Sequence, residues 1–355
     1  MDECGDTLSA RAMDFESWDR VQPLAGGRGD SARLAWKDGR PHVVKSYGPG
    51  RLDGVRERAA LEALAGRAGT PTLLAESDEP PFVVMSYLDG SGSLADALLG
   101  TDEDDAVTAL LRWAEALADL HSAGTTDRRE AFVEGLARRA PDLSPRSLAG
   151  DFEVAAQRYS EVLVELGLPP HYRALEDLRA LPAALGDPAD EVLSPADTCP
   201  DNNVRATDRL HLIDFEYAEL RHPAWDVAYL RAPWPSCWCA WRLPDESAET
   251  AVAGYRRAAG TACGTDFETD LAVATLGWQA MTPALFLAGA LTSDDAAAAP
   301  GRPTRRAFVL HRLAAVAANE SHPALGAMAA DLHGALRQRW GDVPLELAPA
   351  FRPPR

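Results

Sequence analysis

Ser194-Pro-Ala-Asp-Thr-Cys-Pro-Asp-Asn-Asn-Val204 and, one short apolar run later, Leu212-Ile-Asp-Phe-Glu216 decide how this chain is read. The first stretch packs acids and amides between prolines. The second ends the run Leu210-His-Leu-Ile213 on an acid. Asp and Asn beside Pro are also ordinary turn formers, but a carboxylate closing a buried strand is costly without a partner. Carboxylate and amide oxygens are hard ligands, the kind Mg2+ takes along with phosphate oxygens. A further carboxylate nearby can accept a hydroxyl proton. Phosphoryl transfer asks for these parts: a cation against the phosphates and a base that orients the nucleophile. Asp197 and Asn202 stand at D-x-x-x-x-N spacing, and Asp214 follows them.

Working outward, the N-terminal side alternates strands with one helix. VQPLAGGRGDSARLAW carries a Gly-rich turn, Gly26-Gly27-Arg28-Gly29, between apolar segments. Lys37-Asp-Gly-Arg40 is a second turn, and Pro41–Tyr47 a strand. Arg51–Ala65 reads as a helix with Val55, Ala59, Leu61 and Leu64 on its apolar side, and Phe82–Tyr87 as a buried strand before a turn at Leu88-Asp-Gly90. Beyond this the pattern is helical: Ala106–Ser122, several helices over 129–184 interrupted by prolines, then 247–260, 267–291, 304–320 and 323–340. A loop is expected over 294–300, and the tail APAFRPPR is expected to be loosely held. The fold class is therefore α+β, with a small β-rich lobe over 1–88 and a large helical lobe over 89–355.

Composition narrows the function. The chain has 355 residues, 46% hydrophobic and 25% charged, enough for two lobes each with a core. No run of about 18 apolar residues occurs, so no membrane partner is expected. The acidic start, MDECGDTLSARAMDFESWDR, reads as neither secretory signal nor transit peptide. A net charge of −19 argues against nucleic acid and anionic membrane surfaces, and suits solubility or a cationic substrate. Cys4, Cys199, Cys237, Cys239 and Cys263 show no framework spacing, so reduced thiols, a cytoplasmic location and no zinc site are expected.

The ordered set of Gly turn, Val43-Val44-Lys45, RERAALEAL, VVMSYLDG, D-x-x-x-x-N, Asp214-Phe-Glu216 and HPAWDVAYL resembles the aminoglycoside phosphotransferase and choline kinase family, of protein-kinase-like fold. The likeness spans roughly residues 20–230. It implies that Asp197 is the catalytic base and that Asn202 and Asp214 hold Mg2+. It implies that Gly26, Gly27, Gly29 and Lys45 hold the phosphates of ATP, with Glu57 as the partner of Lys45 and Glu62 as second choice. Met85 would line the adenine pocket, and Ser86, Tyr87 and Leu88 would offer backbone groups to it. Asp226 would tie down the catalytic loop.

One departure stands out: Pro195 occupies the place of the family's loop histidine. The base and both expected metal ligands remain, so the expected activity is transfer of the γ-phosphate to a hydroxyl of a small, cationic acceptor. An aminoglycoside is favoured, with choline-like amines, amino sugars and macrolides open. The alternative is a nucleotide-binding pseudokinase without transfer; a carboxylate-bridged metal hydrolase is a third reading. Trp234, Trp238 and Trp241 fall at roughly helical spacing and read as packing or as a stacking wall for the acceptor. His121 and His222 read as structural, and Glu216 as a second-metal approach or a replaced glycine.

Overall fold

In a computed structural model, residues 18–353 are described apart from 25–31, 49, 123–124, 144–147, 236, 238, 261–265 and 294–301. An antiparallel sheet of order β1-β2-β3-β5-β4 comes first: β1 Arg20–Pro23, β2 Ala32–Lys37, β3 Arg40–Ser46, β4 Leu73–Asp78 and β5 Pro81–Ser86. β2 and β3 join through Asp38 and Gly39, both at positive φ (51° and 71°). That is the primed turn whose twist matches a hairpin, and Asp-Gly is its preferred pair. The Asp19 carboxylate braces it by accepting from the Gly39 N–H at 3.1 Å.

β5 alternates sides. Phe82 and Val84 join Trp18, Ala35, Val44 and Ala75 in a small core on one face, while Val83 and Met85 face the main core. Both faces of this strand are covered, which explains its continuous apolar run.

α1, Asp53–Ala63, packs against β4 and β5. It begins after Gly50, whose φ of 73° breaks the strand-to-helix path, so the helix is shorter than the Arg51–Ala65 expected. The expected apolar residues Val55, Ala59, Leu61 and Leu64 are buried.

The helical part follows: α2 Leu94–Leu99, α3 Glu103–Ser122, α4 Thr125–Arg139, α5 Leu148–Glu165 and α6 Tyr172–Ala180. α2 opens with a capping box between Ser93 and Asp96. α3 carries Glu103, Asp104 and Asp105 in its first turn and His121 in its last, matching the helix dipole. Two short antiparallel strand pairs then hold the loops of interest. β6 Val192–Ser194 pairs with β9 Glu219–Arg221, and β7 Asn203–Arg205 pairs with β8 Leu210–Leu212. The remaining helices are α7 Ala224–Val227, α8 Asp245–Ala259, α9 Phe267–Thr292, α10 Arg305–Ala317 and α11 Pro323–Trp340.

α9 is long and apolar enough to cross a membrane by composition, contrary to the sequence reading. It packs against α5, α7 and α10 and buries most of its apolar side chains, as the core helix of a folded domain does. The tail also departs from expectation. Ala348, Ala350 and Phe351 are buried, and the Arg242 N–H donates to the Glu346 carbonyl while the Ala348 N–H donates to the Arg242 carbonyl. Apolar side chains between the prolines hold it to the core. The expected loop over 294–300 lies outside the described residues.

Candidate active site

Lys45 is the centre of the site. It sits on β3 opposite Val83 of β5, with its ammonium reaching out of the sheet. Nζ lies 2.9 Å from Glu57, 2.5 Å from Asp214 and 2.9 Å from Glu216. Burial opposes a charge here, but Glu57, Asp214 and Glu216 outweigh it and hold the ammonium above its ordinary range.

Glu57 projects from α1 and is 1% exposed. Burial pushes its carboxyl up, while Lys45 works in the other direction. Its oxygens are well used. Tyr47 Oη donates to Oε2, and the Phe215 N–H donates to Oε1 at 3.3 Å. Glu57 thereby joins the sheet lysine, α1 and the backbone after Asp214. Glu62 instead pairs with Arg138 and Arg139 of α4, docking α1 on the helical lobe. The sequence offered no signal for Tyr47. Its phenol, raised well above its ordinary range by burial and Glu57, closes the buried side of the lysine.

The D-x-x-x-x-N loop runs from β6 to β7. Ala196, at φ 60°, precedes Asp197, and Asp214 itself sits at φ 66°. Left-handed backbone at such residues costs about 1–3 kcal/mol each and persists where surroundings over-determine it, commonly at functional sites. Ser194 and Pro195 are buried, and the Ser194 hydroxyl accepts from the Ala196 N–H at 2.8 Å. Ser194 and Pro195 together therefore shape the turn where the family has its histidine.

Asn202 donates from Nδ2 to the Asp197 carbonyl at 2.8 Å, and the Ile213 N–H donates to the Asn202 carbonyl at 3.1 Å. Two hydrogen bonds thus link the expected base, the amide and the segment carrying Asp214. Asn203 is buried and structural: it accepts from the Leu94 N–H and donates to the Pro200 carbonyl, both at 2.8 Å. Glu57, Asp214 and Glu216 each bring a carboxylate oxygen within 4.8 Å of the others. These three carboxylates are a set of hard donors, and Asn202 is tied to the segment carrying Asp214 through the bond from the Ile213 N–H.

Met85 is buried at the end of β5. Ser86 is committed to the edge strand: its N–H donates to the Thr72 carbonyl, and its hydroxyl accepts from the Thr72 N–H, both at 2.9 Å. Tyr87 and Leu88 follow, half-buried, where the chain leaves the sheet. Gly26, Gly27 and Gly29 lie outside the described residues.

The linker past Leu88 is zipped to β7, the strand after the D-x-x-x-x-N loop. The Ser91 N–H donates to the Arg205 carbonyl, and the Arg205 N–H donates to the Gly92 carbonyl. A Cβ at Gly90 would stand 2.5 Å from the Arg205 carbonyl oxygen. Gly90→Ala is expected to push the linker off β7 and destabilise the chain by about 1–3 kcal/mol. An unchanged denaturant midpoint would show that this approach is not needed.

Asp226 acts on the loop at one remove. It is fully buried on α7, accepts from Arg221, and takes a hydrogen bond from His121 Nε2 at 3.1 Å. Burial would raise its carboxyl; Arg221 and His121 prevail and hold it at about 2. Arg221 lies opposite Val192, so Asp226 steadies the β6–β9 strand pair from which the loop departs. His121 also meets the Tyr255 hydroxyl at 2.9 Å, and His222 accepts from the Ala224 N–H, the structural roles expected.

Of the two readings open for the tryptophans, Trp234 and Trp241 take packing: both are fully buried and neither forms a stacking wall, while Trp238 lies outside the described residues. Helical spacing reports that residues share a face, and this face turns inward. One sequence expectation fails here. Cys199 and Cys237 are joined by a disulfide rather than kept as separate thiols, because the fold brings the loop against the segment after α7. Cys4 and Cys263 lie outside the described residues.

The family model described as "Phosphotransferase enzyme family" matches residues 20–270. No curated protein matches the chain. Among solved structures, the choline kinase LicA from Streptococcus pneumoniae is similar at 17% identity and TM-score 0.52, covering 94% of this chain and 98% of its own. A choline/ethanolamine kinase family protein from Mesorhizobium loti is similar at 16% identity and TM-score 0.53, covering 95% and 99%. APH(2")-IIa, in a ternary complex with streptomycin and ATP, is similar at 16% identity and TM-score 0.53, covering 81% and 93%. At these identities the structures speak for the fold alone, whereas the family match spans well over half of the sequence. The chain belongs to the phosphotransferase enzyme family and has a protein-kinase-like fold.

Proposed function

We propose that this protein transfers the γ-phosphate of ATP to a hydroxyl of a small cationic molecule, with the sheet lobe over 1–88 holding the nucleotide and the rest of the chain the acceptor. The observation that carries this reading is Lys45, fixed by buried Glu57 and turned toward Asp214 and Glu216 beside the Asp197–Asn202 loop. Lys45 and the glycine turn at 26–29 bind and orient the phosphates. The hinge backbone at Tyr87 and Leu88, above Met85, receives the adenine.

Asn202, Asp214 and Glu216 supply oxygens of the hardness Mg2+ prefers, so their chemistry fits the ion. When bound, Mg2+ neutralises phosphate charge and aligns the leaving oxygen. Asp197 orients the acceptor hydroxyl and accepts its proton at the carboxylate. Asn202 keeps Asp197 in place through the bond to its carbonyl. Most of the acceleration then comes from positioning and fixed charge.

A net charge of −19 draws a polycation toward the cleft and disfavours an anionic acceptor. Aminoglycosides and choline-like amines both meet this description.

Asp214→Ala is expected to weaken Mg-dependent ATP binding by more than the roughly 10–100-fold that changes around metal ligands already cost. Binding measured with Mg2+ and with chelator should differ strongly in the wild type and little in the variant. Equal Mg dependence in both proteins would remove Asp214 from the metal role.

A further inference from the structure

Three sulfurs converge beside the catalytic loop, and the transfer reaction uses none of them. Cys199 lies two residues after Asp197; Cys237 and Cys239 lie in the segment that follows α7. All three are buried. Cys199 and Cys237 are bonded to each other, and Cys239 Sγ stands 3.9 Å from Cys199 Sγ and 2.8 Å from Cys237 Sγ. One ligand atom from each cysteine and a carboxylate oxygen of Asp201 all lie within 4.8 Å of one another.

A disulfide accounts for two of these four groups. The third sulfur, at 2.8 Å from Cys237, is closer than the roughly 3.5–4.0 Å at which even non-bonded carbons rest. Three sulfurs and a carboxylate around one point are a donor set that Zn2+ takes. Zinc–sulfur bonds of about 2.3 Å in a tetrahedron space the sulfurs about 3.8 Å apart. Cys199 and Cys239 already stand near that spacing, at 3.9 Å.

We propose that, in its reduced form, Cys199, Cys237, Cys239 and Asp201 bind one Zn2+ that staples the catalytic loop to the segment after α7. Reduction needs an external two-electron donor. With a phosphine, one water becomes the oxygen of the phosphine oxide, and Cys199 and Cys237 are released as thiols. Metal uptake then sends the three thiol protons to solvent, so binding tightens as pH rises. The ion would hold the loop from the side of Cys199, on the stretch where Pro195 replaces the family's histidine. The proposal rests on this cluster alone and stands or falls apart from the nucleotide chemistry.

The test titrates the full chain with Co2+ under a phosphine reductant, after thiol counting has verified that the disulfide is open. The expected result is one equivalent of Co2+ bound, with thiolate-to-cobalt charge-transfer absorption and the visible bands of a tetrahedral ion, both erased by Zn2+. Cys239→Ser should lose most of that absorption. Asp201→Asn, on the partly exposed loop, should lose affinity while staying folded, and it carries the test should the cysteine variant fail to fold. A Cys4→Ser, Cys263→Ser double variant should keep the bands. Absence of tetrahedral bands in the reduced wild type would overturn the proposal. So would bands of equal strength and affinity in Asp201→Asn and Cys239→Ser.

Discussion

Asp197→Asn is expected to lower turnover by about 10²–10⁴-fold, the usual cost of losing a positioned base, while MgATP affinity stays near the wild-type value. The substitution keeps size and removes only the carboxylate's ability to take a proton. The hydrogen bond from Asn202 goes to the Asp197 carbonyl, a backbone atom that the variant retains, so the loop should stay in place. Steady-state kinetics give the turnover, and calorimetry the nucleotide affinity. Loss of affinity together with rate would mean that Asp197 serves binding. Unchanged turnover would mean that the base lies elsewhere.

The second large effect concerns the support behind the loop. Asp226→Ala leaves Arg221 buried without its main counter-charge, and breaking such a pair costs about 3–5 kcal/mol. The intact pair also predicts an acid limit. The Asp226 carboxyl is held at about 2, against an ordinary value of 3.8. A carboxyl depressed on folding contributes stability that is fully present above its unfolded value. That stability is lost as pH falls through the folded value. The window runs from about pH 4 down to about pH 2, with about 2 kcal/mol at stake. Denaturant midpoints measured across that window should fall in the wild type and change less in Asp226→Asn. Parallel curves would assign the acid sensitivity to other groups.

Much of this architecture was legible because the informative residues are local. The Lys37–Arg40 turn and the apolar face of α1 follow from residues whose types admit few other uses, while the pairing of Lys45 with Glu57 was implied by the family resemblance and is present in the fold. Glu57, the first choice, is the partner found, and the packing of α4 takes the second choice, Glu62, away to Arg138 and Arg139. β4 escaped the sequence reading. It is an edge strand whose second half, Glu76-Ser-Asp78, looks like a loop, because an edge strand has one partner and can be polar.

The sulfur cluster was illegible for another reason. Cys199 and Cys237 are 38 residues apart, and only the β6–β9 pairing and α7 bring their segments together. The tail misled through composition: a Pro-rich end suggests looseness, yet Ala348, Ala350 and Phe351 are buried. Tyr47 illustrates the limit most plainly. A tyrosine at a strand end is unremarkable until Glu57 is found against its hydroxyl.

The most direct test follows the phosphate itself. The chain, Mg2+ and ATP labelled at the γ-phosphate are mixed with a panel of hydroxylated amines, and each compound is examined for gained label. The account predicts stoichiometric label on the hydroxyl of at least one cationic acceptor, with ADP released in equal amount and no transfer on this timescale by Asp197→Asn. Label passing at the wild-type rate in that variant, or tight MgATP binding with every acceptor left unlabelled, would contradict it.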